Sequence, residues 1–225
     1  MAYAVVQNNS ANSNYGTGSV VVPIQNTPAQ GNLIIVSIRN GTNNSTLTSV
    51  VDGNSNAFTK LSAFANFTGS NRIDHYGLIA GASQSTSFTA TLSGAGLAGI
   101  AYEFSGNPSS IAGIVDVTGT GGSATSVTTT NGVQPSAVTT NSGDLILTSI
   151  ELSNTGGTSV WSPTDAFTQL QQFSDLMADA YLIPGITGTY NPSFSWTTAR
   201  VCNQILTALK PAVTPSTSGL LTFFS

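Results

Sequence analysis

The chain has 225 residues, 40% of them apolar and only 6% charged, with a net charge of −4. The apolar share sustains a folded core, which excludes general disorder, yet an ordinary soluble chain carries roughly four times as much charge. Five cations (Arg39, Lys60, Arg72, Arg200 and Lys210) cannot form the basic stripe that tracks phosphates, so nucleic acid and an anionic membrane surface are excluded as partners.

Residues 2–7 and 18–24 are predicted as short strands around a polar loop, Asn8 to Gly16. Pro23, Pro28 and Gly31 punctuate the approach to Gly31-Asn32-Leu33-Ile34-Ile35-Val36-Ser37-Ile38, a turn residue feeding a β-branched, apolar run that reads as a buried strand. A polar turn over Asn40 to Thr46 leads to a strand at 47–51. The dense turn signal Asp52-Gly53-Asn54-Ser55-Asn56 follows, and then the alternating Ala57 to Leu61. Further strands fit 71–80, 85–92 and 97–105. Gly106 to Asn141, rich in Gly, Ser and Thr, reads as a long irregular crossing with short strands at 113–117 and 136–139.

The pattern then returns. Gly143-Asp144-Leu145-Ile146-Leu147-Thr148-Ser149-Ile150 repeats the first buried run, and Thr158 to Trp161 with Ala166 to Leu170 echoes the pair around Asp52. Asp179 to Gly185 echoes Asp74 to Gly81, which sets Ala180 opposite His75. Ser193 to Trp196 echoes Ser87 to Ala90, and the strand around Ile205 that around Ile100. No segment carries a helical period. The expected fold is all-β: an antiparallel β-sandwich, jelly-roll-like, built from two similar halves, 1–106 and 107–211, in a single body over 1–211. Residues 212–225 read as a linker ending in an apolar docking segment, with Leu220, Leu221, Phe223 and Phe224 as interface candidates.

Candidate chemistry is sparse. His75 is the only histidine, and a Ser-His-Asp arrangement would have to use it, yet no G-x-S-x-G elbow occurs and Asp74 is merely its sequence neighbour. Glu103 and Glu151 are the only glutamates; a glycosidase would set two such carboxylates across a sugar. Asp52, Asn54 and Asn56 open like a calcium loop, but Ala57 and Ala63 stand where an EF-hand wants Gly and Glu, so a hairpin turn is the preferred reading. Trp161 is the candidate glycan-stacking ring, whereas Trp196 shares a face with Phe194 and is expected in the core. Cys202 reads as an inert packed thiol and forms no intrachain disulfide. No catalytic residue, metal or cofactor is expected. The start lacks the pattern of a signal peptide, and no apolar run reaches membrane-spanning length.

Three stretches together resemble a known module: Gly31 to Val36, then Thr48-Ser49-Val50-Val51-Asp52-Gly53-Asn54, then Ile100-Ala101-Tyr102-Glu103-Phe104-Ser105-Gly106. They are similar to the GNLLV-type strand, SVTDSxGN-type hairpin and EFSG-type strand end of a β-sandwich module found in phage virion and bacterial surface proteins. A Ser/Thr-rich bridge and a second GDLL-type strand, here Gly143 to Leu147, complete the likeness over roughly residues 20–210. The resemblance implies a place on an exterior surface rather than a reaction. The expectation is a non-enzymatic virion protein assembled in the host cytoplasm. It would be a capsid decoration or cement protein, a homo-oligomer contacting the major capsid protein or other virion subunits. A carbohydrate- or receptor-binding module of a tail or head fibre is the alternative.

Overall fold

The computed structural model describes residues 2–12, 18–41, 47–65, 72–92, 97–106, 108–131, 133–153, 163, 166–174 and 176–211. All their regular structure is strand: β1 (Ala4–Asn12), β2 (Ser19–Pro23), β3 (Leu33–Asn40), β4 (Leu47–Asp52), β5 (Thr59–Ala65), β6 (Arg72–Ile79), β7 (Ser87–Leu92) and β8 (Leu97–Ser105) in the first half. The second half contributes β9 (Val115–Thr129), β10 (Ala137–Val138), β11 (Leu145–Leu152), β12 (Thr168–Phe173), β13 (Met177–Leu182), β14 (Thr189–Tyr190) and β15 (Ser195–Leu209). The fold is an all-β antiparallel sandwich.

Four layers result. A three-stranded sheet, β2-β7-β4, covers a five-stranded sheet, β1-β8-β3-β6-β5; in the second half β10-β14 accompanies β9-β15-β11-β13-β12. Each described sheet draws its strands from one half. The two five-stranded sheets have corresponding orders, and their central strands β3 and β11 are the two runs of apolar residues seen in the sequence. Gly31 (φ 86°) and Gly143 (φ 82°) make the matching left-handed turns that feed them, a backbone conformation that costs glycine little.

Both central strands are buried on both faces, which is why they read as near-continuous apolar runs. Side chains alternate across a strand. On β3, Ile34, Val36 and Ile38 face the three-stranded sheet, with Phe58 and Phe88 packed edge to face there. Leu33 and Ile35 face the other way and join Tyr102, Phe104, Leu145, Leu147, Met177 and Leu209 in a core shared by the two halves. A third core, with Phe194, Trp196, Cys202 and Leu206, fills the second sandwich. Trp196 is therefore buried beside Phe194, and Cys202 is sealed within an apolar layer where burial pushes its thiol up to about 11.

Two expectations need correction. Asn8 to Asn12 extend β1, because their backbone groups continue the ladder with β8 whatever their polarity. The expected irregular crossing contains instead the 15-residue strand β9, paired along β15. Its glycines are there for proximity: a Cβ on Gly119 would lie 2.7 Å from the Ser136 carbonyl oxygen, and one on Gly121 would strike the Val133 carbonyl. Segment 133–136 thus lies directly across the strand, and small residues that looked like linker composition are packing choices.

Candidate functional site

The densest polar chemistry among the described residues lies where the two five-stranded sheets meet. Ladder register defines the matching positions. Ser37 on β3 lies opposite His75 on β6 and Ile100 on β8; Ser149 on β11 lies opposite Asp179 on β13 and Ile205 on β15. His75 thus corresponds to Asp179, not to Ala180 as the sequence echo implied. The echo aligned Asp74-x-Tyr76 with Asp179-x-Tyr181, a slip of one residue, and in a strand that exchanges the two faces. By the same register Tyr102 corresponds to Thr207, opposite Ile35 and Leu147.

The side chains of Ser37, His75, Tyr102, Ser149, Asp179 and Thr207 point into the junction and are at most 1% exposed. Ser37 Oγ and Ser149 Oγ, 112 positions apart in the chain, lie 3.3 Å from each other. His75 joins Ser149 Oγ through Nε2 (2.6 Å) and Thr207 Oγ1 through Nδ1 (2.8 Å). The Tyr102 hydroxyl donates to Asp179 Oδ2. Ser62 Oγ on β5 reaches Thr207 Oγ1 at 2.5 Å. Burial lowers His75 to about 3, keeping the ring neutral, and raises Asp179 to about 6 against the hydrogen bonds from Tyr102, Ser37 and Ser149.

One step along the central strands the corresponding residues are Arg39 and Glu151. Arg39 Nε lies 3.3 Å from Glu151 Oε2, Arg39 Nη2 donates to the Leu152 carbonyl (3.2 Å), and Asn203 Nδ2 donates to Glu151 Oε1 (2.5 Å). Equivalent strand positions therefore meet twice, Ser37 with Ser149 and Arg39 with Glu151, while Leu33, Ile35, Leu145 and Leu147 share one core beside them.

The structure thus brings serine, histidine and aspartate into one cluster, but the aspartate takes its hydrogen bonds from Tyr102, Ser37 and Ser149, while the histidine is joined to Ser149 and Thr207. What the arrangement does chemically is satisfy buried polar groups across a sheet-to-sheet contact, as burial demands. Asp74 points to the opposite face of β6, where it pairs with Arg72 (2.7 Å) and lies 3.9 Å from Lys60.

The two glutamates do not meet. Glu103 projects from the opposite face of β8 to Tyr102 and takes three N–H donors: Gln7 Nε2 (2.5 Å), Asn32 Nδ2 (2.6 Å) and the Ala29 amide (2.8 Å). Glu151 belongs to the junction. At the calcium-like turn, Asp52 Oδ1 accepts the Asn54 and Asn56 amides (2.9 and 2.7 Å), and Oδ2 accepts Asn56 Nδ2 and Gln84 Nε2 (2.9 and 2.6 Å). Asn54 Nδ2 donates to the Ser83 carbonyl. The Asp52 carboxylate closes a hairpin turn; burial would raise its pKa, but these hydrogen bonds hold it below the usual value.

At the end of the second sandwich, Asp116 and Asp144 form an acidic pair missed in the sequence, where they stand far apart among turn residues. Thr140 donates to Asp116 through its amide (2.6 Å) and its hydroxyl. Burial first, then the adjacent Asp116, raises Asp144 to about 7. A hollow of about 130 Å³ nearby, lined by Pro108, Ile114, Lys210 and Pro211 among others, is small beside the roughly 300–1,000 Å³ of small-molecule sites. Trp161, Leu220, Leu221, Phe223 and Phe224 lie outside the described residues. No protein-family model matches this chain, and neither a curated protein nor a solved structure does.

Proposed function

We propose that the protein is a non-enzymatic phage virion component, a decoration or cement protein that stabilises a capsid by binding several coat subunits at once. The observation that carries this reading is the use of the chain's few charged and titratable groups. Arg39, Glu151, His75 and Asp179 are buried in joining the two sheets, and Glu103 in closing one end of a sandwich. The skin is left nearly uncharged, suited to broad contact and little affected by salt.

The nested order β1-β8-β3-β6 above β2-β7-β4 is read as jelly-roll-like, and its counterpart in the second half supports a body made of two similar units. Binding to the assembled lattice and not to free subunits would favour the intact shell by mass action. The segment 212–225, with Leu220, Leu221, Phe223 and Phe224, is the proposed docking element, and strand addition at a sheet edge the proposed mode. On the N-terminal side β1 is an edge strand whose Val6 is 52% exposed at a bulge, so Val6→Asp probes that surface without removing the strand.

The test is decoration of purified particles by the full chain, by a chain ending at residue 211 and by Val6→Asp. Loss of binding on truncation is expected. Unchanged affinity in both variants would overturn the reading. Glycan binding by the full chain that Trp161→Ala abolishes would favour the fibre-type receptor module instead.

A further inference from the structure

After β15 the chain leaves the body at a pinned point. The Lys210 amide donates to the Ile114 carbonyl (2.8 Å), its carbonyl accepts the Tyr3 hydroxyl (2.8 Å), and its Nζ donates to the Gly113 carbonyl (3.2 Å). Pro211 comes next and abuts Gly143, where an added Cβ would lie 3.9 Å from Pro211 Cβ. Residues 212–225, outside the described residues, continue from this spot. Their sequence is polar and turn-prone from Thr214 to Gly219, then apolar in Leu220-Leu221-Thr222-Phe223-Phe224.

The hollow of about 130 Å³ opens at the same point. Pro211 forms part of its wall with Pro108, Ala112 and Ile114, and Ser109 and Lys210 stand at its rim. Ile114 is 4% exposed and belongs to the core shared by the two halves, so the apolar wall is backed by packed side chains. Ser109 and Ala112 are exposed and leave the hollow open to solvent. Its volume is close to the roughly 150 Å³ of an apolar cavity that admits benzene. It matches one phenyl ring.

We propose that one ring of the pair Phe223-Phe224 seats in this hollow of its own chain, so that the segment 212–225 folds back on the body in the free protein. Residues 212–222 can span up to about 40 Å when extended, ample for a return to the wall that Pro211 itself builds. On so short a tether the ring meets the hollow at an effective concentration in the millimolar range, well above that of a second copy at micromolar protein. Adjacent side chains of an extended chain point to opposite sides, so one ring enters and its neighbour does not. The seat belongs to the free chain and does not rest on the virion reading; where both hold, the lattice must displace the ring to engage the segment.

The test is disulfide trapping in the full chain carrying Ser109→Cys at the rim and Ser225→Cys beside the rings, at micromolar protein with oxidised glutathione. The native Cys202 is fully buried and stays out of the reaction. An intrachain disulfide is expected, and either Phe223→Ser or Phe224→Ser should slow its formation about tenfold, which identifies the seated ring. Ala112→Arg, which crowds the hollow from an exposed position, should slow it comparably. A rate unchanged by the two serine substitutions together would overturn the proposal, since a tethered thiol would then be arriving by random encounter. Disulfides formed chiefly between chains would also overturn it, by placing the ring on a second copy. Decoration lost on truncation at residue 211, beside a disulfide indifferent to the rings, removes this inference and leaves the virion reading standing. A ring-dependent disulfide without decoration does the reverse.

Discussion

At the junction the two five-stranded sheets present the same strand positions to each other, with side chains that match at one and differ at others. Serine meets serine at 37 and 149, whereas arginine meets glutamate at 39 and 151, and histidine corresponds to aspartate at 75 and 179. Two identical copies of either half would set Arg39 against arginine, or Glu151 against glutamate, in a site that excludes water. The difference teaches that the contact depends on the two sheets differing: corresponding strand positions provide the fit, and unlike side chains provide the pairing. An uncompensated buried charge costs several kcal/mol, while a well-partnered pair roughly offsets its own desolvation.

The sharpest way to break this comparison is to restore likeness. Glu151→Arg sets two guanidinium groups together and should cost more than about 4 kcal/mol in denaturant unfolding, enough to prevent folding. The swap Arg39→Glu with Glu151→Arg should recover most of the loss, because the pair is re-formed with its order reversed. A single reversal that leaves stability unchanged would show that this ion pair does not hold the junction.

The histidine–aspartate difference can be read from pH. Folding raises Asp179 from 3.8 to about 6, so the folded chain holds a proton the unfolded chain has released, and stability falls as pH rises through that window. Folding lowers His75 from 6.5 to about 3, so the unfolded chain takes up a proton that the folded one refuses, and stability falls as pH drops through that window. Between about pH 4 and 6 the two slopes, each near 1.4 kcal/mol per pH unit, oppose one another. Their contributions in the wild-type chain should nearly cancel there. His75→Gln should tilt the profile downward with rising pH, and Asp179→Asn upward, as followed by Tm across buffers. Parallel profiles for all three proteins would dissolve the assignment.

Two smaller effects sharpen the contrast. Tyr102→Phe takes the phenolic donor from Asp179 and should cost about 1–3 kcal/mol, while Thr207→Val at the matching position, which leaves His75 Nδ1 and Ser62 to find other partners, should cost about 1 kcal/mol. Ala11 in β1 and Gly121 in β9 also correspond, through their partners Gly99 and Gln204. Gly121→Ala should cost about 1–3 kcal/mol by pushing into segment 133–135. Ala11→Gly should cost about 0.5–1 kcal/mol through backbone entropy alone.

The central strands were legible because burial on both faces demands uninterrupted apolar runs, and the turn glycines before them are required by left-handed backbone. β9 was not, since its glycines admit a crossing segment that nothing in local composition announces. The polar end of β1 looks like a loop in sequence because a ladder uses backbone atoms and leaves side-chain polarity free at a sheet edge. The strand that carries His75 is legible in sequence, but the repeated Asp-x-Tyr pattern points to Ala180 as its counterpart where the register gives Asp179, one residue away and on the other face. The junction itself left a usable trace: in a chain with so few charges, Arg39 and Glu151 stand at the same place in the two recurring runs with opposite sign. The Asp116–Asp144 corner left none, because its partners come together only through the register shift of β9.

Because both faces of the junction belong to one polypeptide, their encounter is intramolecular, and its strength is set by tether length rather than by how much protein is present. Dilution that would part an ordinary dimer leaves this pairing intact. A chain released into a large volume would therefore keep its two sheets joined, even where every contact between separate chains is being tested by loss of its partner.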